Sequence, residues 1–425
     1  MTERVYAVDF GTSNSLLTAA TKGGVGSPIP LDVTAADPSI LRSLLYFADR
    51  DHVFYGQEAI SNFIENEMSG RLFRSFKSHL RSKNYLGTMI ENRPMPLEQM
   101  VGLFLLQMKN RADIYFGEAC DRVVLGRPAR YSMDPEEDKF AEYRMRKAAE
   151  FAGFKEIEFL PEPVAAAYEF RRELKTEQLV LVADFGGGTS DFTVVRLGPN
   201  EFLEKNVLSV GGLPVAGDAL DSQVMMKKVA PFFGSDMRYR LPMSQNILQM
   251  PPSVMQNLTH PSFIVHLKDR DTYDFLEKIR TWAVTESDRQ KIERLFVLVD
   301  DNQIFSLFEA IDTVKRDLSV QLQTTLSFAY PDIDLELTVA KLEFDEVIAE
   351  RVKQLMAELD STLRNAGLKA EQIDLVCCTG GTSKVPLIQM ALEKRFGREK
   401  MRTRQQFHSV VQGLGDRALE VVRQS

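Results

Sequence analysis

The stretch Val5-Tyr6-Ala7-Val8-Asp9-Phe10-Gly11-Thr12-Ser13 decides how this chain is read, because its pattern returns near the middle. There Leu179 to Ala183 leads into Asp184-Phe185-Gly186-Gly187-Gly188-Thr189-Ser190. Each copy runs from an apolar, buried-type strand to an acid, then to glycine for a tight turn, then to hydroxyls. A second apolar strand follows, Leu16 to Ala20 or Phe192 to Leu197. An acid ending a buried strand is held rigidly at the lip of a cleft. Mg²⁺ favours such oxygen ligands and keeps most of its waters, so Asp9 and Asp184 are candidate holders of a hydrated metal. Gly11, Gly186, Gly187 and Gly188 let backbone N–H groups approach phosphate oxygens closely, while Thr12, Ser13 and Thr189 add hydroxyl donors. One Asp-x-Gly turn by itself is most often only a hairpin. Two of them predict lobes of related construction that grip phosphates from both sides, which supplies the positioning and charge neutralisation phosphoryl transfer needs.

The bulk properties set the frame for this reading. A chain of 425 residues exceeds one ordinary core, so two domains or one two-lobed unit are expected. Its 44% hydrophobic and 26% charged residues are those of a folded protein, and no apolar run approaches a membrane span. Met1 leads almost at once into a strand, without a secretion signal, and the three cysteines resemble reduced core residues. A cytoplasmic location is expected, with no membrane partner. A net charge of −8 argues against nucleic acid as a partner. The basic runs Arg71 to Lys83 and Lys394 to Arg404 read as solvated surface, with Lys77 as the exception.

Between the two hairpins the pattern alternates. Arg122 to Leu125 reads as a strand, and Asp134 caps a helix with Pro135 at its first position, Glu137 completing a capping box and Gly153 as its stop. Ile157 to Leu160 reads as a strand that runs into Pro161-Glu162-Pro163 and an Ala-rich helix to about residue 173. After the second hairpin come a strand over 201–210, a turn at Gly211-Gly212 and a helix over 218–230. From about Pro231 to Thr281 the prolines and methionines predict an irregular insertion, its methionines filling core gaps more readily than forming a docking surface. Helices return over 288–298, 304–321 and 344–366. The strand Ile373 to Thr379, the turn Gly380-Gly381 and helices from near Ser383 and Ser409 close the chain. Strands alternating with helices place it in the α/β class.

The usual competitors are missing: there is no G-x-x-x-x-G-K-[ST] loop, and no His-Arg-Asp kinase loop accompanies the Asp-Phe-Gly triplets. The five histidines show no metal-ligand spacing.

Residues Val8 to Asn14 resemble the first phosphate loop of the actin-like ATPases. Ala183 to Asp191 resembles the second, in the form typical of the 70-kDa heat-shock (DnaK-type) chaperones. Further matches follow in order: Lys77 within Phe76 to Leu80, Leu160 to Ala167, Gly217 to Asp221, Lys315 to Ser319, and Thr379 to Lys384. The resemblance implies an actin-like (ribonuclease H-like) ATPase fold of two lobes, 1–172 with 405–425 returning to it and 173–404, with ATP or ADP and Mg²⁺ in the cleft between them. It implies that Asp9 and Asp184 hold Mg²⁺ through water, that Lys77 and Glu162 orient the attacking water, and that Thr189 and Asp191 assist. Lys315, Arg316 and Ser319, with Gly380, Gly381 and Lys384, would form the adenosine pocket, with Gly217 and Asp218 beside the ribose.

Four departures from the family pattern stand out. Lys384 occupies an arginine position, which weakens one side of the adenine sandwich. Phe407-His408 occupies an acidic one. The segment from Asp221 to Lys315 is long. By the resemblance, the chain is expected to hold the nucleotide module without an apolar linker or peptide-binding β-sandwich, as in the short members of the family. The expected function is that of an ATP-hydrolysing, chaperone-like protein with lobe closure as its output, and client proteins or a co-chaperone as partners. A small-molecule kinase with Asp191 as base, and a nucleotide-dependent filament or scaffold, are the alternatives.

Overall fold

The computed structural model describes residues 3–66, 69–74, 76–132, 134–171, 175–198, 206–259, 264–301, 303–403 and 409–424. The chain divides into two compact units, Met1–Pro214 with Glu358–Ser383 and Leu392–Ser425, and Val215–Ala357 with Lys384–Ala391. This division falls elsewhere than the boundary expected at residue 172.

The first unit holds two sheets of matching topology. In one, Arg4–Phe10 and Asn14–Thr21 form an antiparallel hairpin, Gly24–Val25 extends it on one side, and Arg122–Arg127 and Glu156–Pro161 add parallel strands on the other. In the other, Gln178–Phe185 and Ser190–Leu197 form the hairpin and Val207–Leu213 extends it. Leu375–Thr379 and Met401–Thr403 supply the parallel strands. The central strands are buried on both faces, as near-continuous Val, Leu and Ala runs require. Helices Glu162–Arg171 and Ser409–Gln424 share one core with both sheets: Val164, Ala165, Leu414 and Ala418 pack with Val5 and Ala7 of one and Val180 and Val182 of the other. Helices Leu97–Phe116 and Pro135–Phe151 contribute Phe104, Met108, Met145 and Ala148 to a second core with Tyr6, Val8 and Leu17. All three cysteines are buried and unpaired.

The cap at Asp134 forms, its carboxylate accepting from the Glu136 and Glu137 amides at 2.8 and 3.0 Å, and the helix gives way to Gly153 at φ +89°. The reciprocal half of the capping box does not form. Glu137 accepts the Ser132 hydroxyl at 2.7 Å, and the Asp134 amide donates to that same hydroxyl.

The second unit is mainly helical, with Gly217–Val224, Glu286–Asp300 and Ile304–Asp317, and it contains the hairpin Gln323–Tyr330 and Ile333–Ala340. The expected helix over 218–230 breaks after Val224 into a π-turn and a 3₁₀ turn. The irregular insertion is more regular than its prolines suggest. It holds the short hairpin Arg238–Arg240 and Ile247–Gln249 and the helices Pro252–Thr259 and Arg270–Thr281. Pro252 opens its helix at the first position, where a missing N–H costs nothing. Met237, Met250 and Met255 are buried and only Met243 is fully exposed, so its methionines mostly fill core gaps. Among the described residues no helix is long and apolar enough to cross a membrane.

Candidate nucleotide and metal site

The two acid–glycine turns are closed by the same backbone bond: the Gly11 amide donates to the Asn14 carbonyl at 3.1 Å, and the Gly186 amide to the Thr189 carbonyl at 2.9 Å. Each turn is also tied from outside by a hydroxyl. Ser43 donates to the Gly11 carbonyl at 2.7 Å and Thr382 to the Gly186 carbonyl at 2.9 Å. The loops are thereby held before any ligand arrives.

Four carboxylates gather at the ends of these strands. Asp9 and Asp184 end the first strands of their hairpins, Asp191 lies directly across from Asp184, and Glu162 opens the helix that follows Pro161. Lys77, on the 3₁₀ turn Phe76–His79, is 8% exposed and pairs with Glu162 at 2.7 Å. Thr379, the parallel neighbour of Asp184, donates to its Oδ1 at 2.9 Å. The Thr189 hydroxyl donates to Asp191 Oδ2 at 3.0 Å. Burial, then the Glu162 charge, holds Asp9 well above the ordinary carboxylate range, with Lys77 pulling the other way. Burial and Glu162 push Asp184 up to about 6 against Thr379 and Lys77, and burial and Asp184 push Asp191 up to about 7. Four carboxylates thus share one lysine, and the cluster holds on to protons well above the ordinary carboxylate range.

Close approach in this cluster depends on glycine. Gly380 has φ +79°, and a Cβ there would meet the Phe185 carbonyl oxygen at 2.1 Å and Asp184 Oδ1 at 3.0 Å. A Cβ at Gly212 would meet Asp191 Oδ1 at 2.6 Å. Glu162, Asp184, Asp191, Thr193 and Thr379 line one small cavity with Arg130. The Thr193 hydroxyl inside it, and the Tyr131 hydroxyl whose proton affinity burial and the Glu162 charge raise, are buried with no partner among the described residues.

The donor set fits a hydrated divalent cation. Two strand-end carboxylates raised by burial and by the Glu162 charge gain from a nearby cation. Among the described residues no group of three or more His, Cys, Asp or Glu side chains is placed to hold a metal ion directly.

The remaining predicted residues lie partly in the second unit. Lys315 is buried, with Asp221 at 2.8 Å and Asp312 at 3.0 Å. Burial opposes its charge, but the two carboxylates outweigh burial and hold the ammonium above its usual range. Ser319 donates to the Lys315 carbonyl at 3.1 Å. Arg316 is exposed, with Asp312 at 3.2 Å. Gly217 and Asp218 open the helix that carries Asp221, and Lys384 is an exposed member of this unit. Gly380 and Gly381 belong to the first unit. Phe407 and His408 lie outside the described residues. Sequence reasoning left Thr379, Thr193 and Asp221 without a role. For Thr379 the signal was present, since it directly precedes Gly380-Gly381 at the end of a buried strand.

A family model described as Hsp70 protein matches residues 53–237 and 272–416. The chain belongs to the Hsp70 family. The fold is therefore the actin-like ATPase fold, the ligand class is ATP or ADP, and the family role is that of an ATP-binding chaperone. The matched Hsp70 segments contain Lys77, Glu162, Asp184, Asp191, Lys315 and Lys384, and they skip 238–271, a stretch inside the insertion. The Asp9 loop precedes the first matched residue. Its assignment rests on the geometry it shares with the Asp184 loop.

Proposed function

We propose that the chain binds Mg-ATP and hydrolyses it slowly at the Asp9, Lys77, Glu162, Asp184 and Asp191 cluster. The observation that carries this reading is the excess of buried carboxylate beside two matched glycine turns. Such a site gains from a divalent cation, which also draws the phosphates to the glycine turns. Mg²⁺, held through water by Asp9 and Asp184, would neutralise charge that develops on the phosphates. The chain's own groups do the rest. Backbone N–H groups and hydroxyls of Gly11 to Ser13 and Gly186 to Thr189 hold the phosphate oxygens. Lys77 fixes one Glu162 oxygen, leaving the carboxylate to orient water. Asp191, near its midpoint at neutral pH and steadied by Thr189, receives a proton.

Lys315, Arg316, Ser319, Gly217, Asp218, Gly380, Gly381 and Lys384 hold the adenosine, with the Arg316 guanidinium plane against the base. Nucleotide binding closes the two lobes, divided near residue 172, and that closure is the output passed to a client or co-chaperone in the cytoplasm. Thermal melting tests the ligand. Mg-ATP is expected to stabilise by about 2.7 kcal/mol at a hundredfold excess over Kd, ATP with EDTA by less, and a model chaperone peptide not at all. A peptide shift equal to that of Mg-ATP would place a client site within this chain.

A further inference from the structure

We propose that Arg144 is a positioning residue for hydrolysis. It sets where the Lys77 ammonium stands by clamping the backbone that follows it, and the inference rests on the role given to Lys77 above. Arg144 is only 1% exposed, an unusual state for arginine unless every donor is used. Its Nε donates to Glu98 Oε1 at 2.5 Å. Its Nη1 reaches the carbonyls of Ser82 at 3.1 Å and of His79 and Leu80 at 3.4 Å, and its Nη2 reaches that of Tyr85 at 3.0 Å. One planar fork thus gathers four carbonyls over seven residues of a segment with little regular structure of its own.

That segment begins where the Lys77 turn ends, and the Leu80 amide donates back to the Lys77 carbonyl at 3.2 Å. On the other side of Lys77 a triad of Phe10, Phe76 and Phe104, with centroids 5.5 to 5.7 Å apart, fixes the turn against the Asp9 strand. Lys77 therefore sits between two anchors, one aromatic and one ionic. The ionic anchor is carried by the helix Pro135–Phe151 and oriented by Glu98 of Leu97–Phe116. A misplacement of about 1 Å in a group that orients the attacking water lowers a rate by up to about a hundredfold without changing what binds.

The test is a double-mutant comparison at a temperature well below melting. Arg144→Lys keeps the charge and loses the fork, and Glu98→Gln keeps the shape and loosens the fork, which covers the case in which the first variant folds poorly. Each is made in the parent and in Lys77→Ala, and kcat, KM for ATP and Tm are measured. In the parent, Arg144→Lys is expected to lower kcat about ten- to a hundredfold at unchanged KM, with Glu98→Gln moving the same way by less. In Lys77→Ala neither change lowers kcat further, because there is no ammonium left to misplace. A loss of the same factor in both backgrounds, or a lowered Tm with kcat intact, overturns the inference and leaves a structural arginine. Full turnover in Lys77→Ala itself overturns the reading of Lys77, and the inference with it.

Discussion

In the first hairpin the residue directly across from the acid is Leu16; in the second it is Asp191. The frames otherwise coincide, with an acid, a glycine two residues on, and a backbone bond from that glycine to the carbonyl five residues after the acid. The surroundings also differ, since Asp184 has Thr379 as a hydrogen-bond donor and Asp191 has Thr189. The difference teaches that one scaffold is used twice, with a second carboxylate set opposite the acid in one copy. The Asp9 hairpin offers one acid, itself held well above the ordinary carboxylate range by burial, and backbone donors. The Asp184 hairpin offers these together with a second acid, pushed up to about 7.

The largest expected effect comes from making the second hairpin more like the first. Asp191→Asn is isosteric and removes the charge that Leu16 never supplies. Turnover is expected to fall about a hundredfold, roughly 3 kcal/mol in the barrier, with ATP affinity preserved. Steady-state kinetics beside equilibrium binding reads both. Unchanged turnover would make the two hairpins chemically equivalent.

A smaller effect separates the turns themselves. A Cβ at Gly11 would stand 2.3 Å from the Asn14 carbonyl oxygen, whereas at Gly186 it would stand 3.1 Å from that of Thr189. Gly11→Ala is therefore expected to cost about 2–3 kcal/mol of stability and Gly186→Ala about 1 kcal/mol, as measured by urea unfolding. Equal costs would mean that the first turn relaxes more freely than its contacts imply.

The smallest effect is one of pH. Asp184 and Asp191 titrate in the folded protein near 6 and 7, above their value of 3.8 in an unfolded chain. The folded state then binds more protons than the unfolded state between about pH 4 and 7, so this contribution favours the folded state at low pH and is lost as pH rises through 6 and 7. The nucleotide-free protein is expected to lose stability from this source as pH rises from about 5.5 to about 7.5, as read by urea unfolding across that range. Asp191→Asn should flatten the slope. A slope unchanged by that substitution would place its origin elsewhere.

Much of this was legible in the sequence where the signal is local. Asp9-Phe10-Gly11 and Asp184-Phe185-Gly186 announce their turns through residue type alone, as does the Asp134-Pro135 helix start. The hairpin Gln323–Ala340 was missed, although Leu326, Phe328, Leu335 and Val339 alternate with exposed or half-buried residues along its strands. The helix Leu97–Phe116 was passed over because its apolar residues crowd most of its surface instead of marking one face. The partners that matter most at the site are distant in sequence. Thr379 lies 195 residues from Asp184, Glu162 85 from Lys77 and Asp221 94 from Lys315. No spacing rule reaches so far. The resemblance to the heat-shock chaperones supplied Lys77 and Glu162 together, while Arg144 belongs to no motif and emerges only from its five polar contacts.

Single-turnover hydrolysis tests the central claim most directly. Labelled ATP, bound at less than one equivalent, is followed to ADP and phosphate in the parent with Mg²⁺, in the parent with EDTA, and in Asp184→Asn with Mg²⁺. Slow phosphate formation is predicted in the first case and almost none in the second. In the third, nucleotide should stay bound but hydrolyse about ten- to a hundredfold more slowly, because a metal-side charge is lost while the adenosine contacts remain. Hydrolysis at one rate in all three would contradict the account.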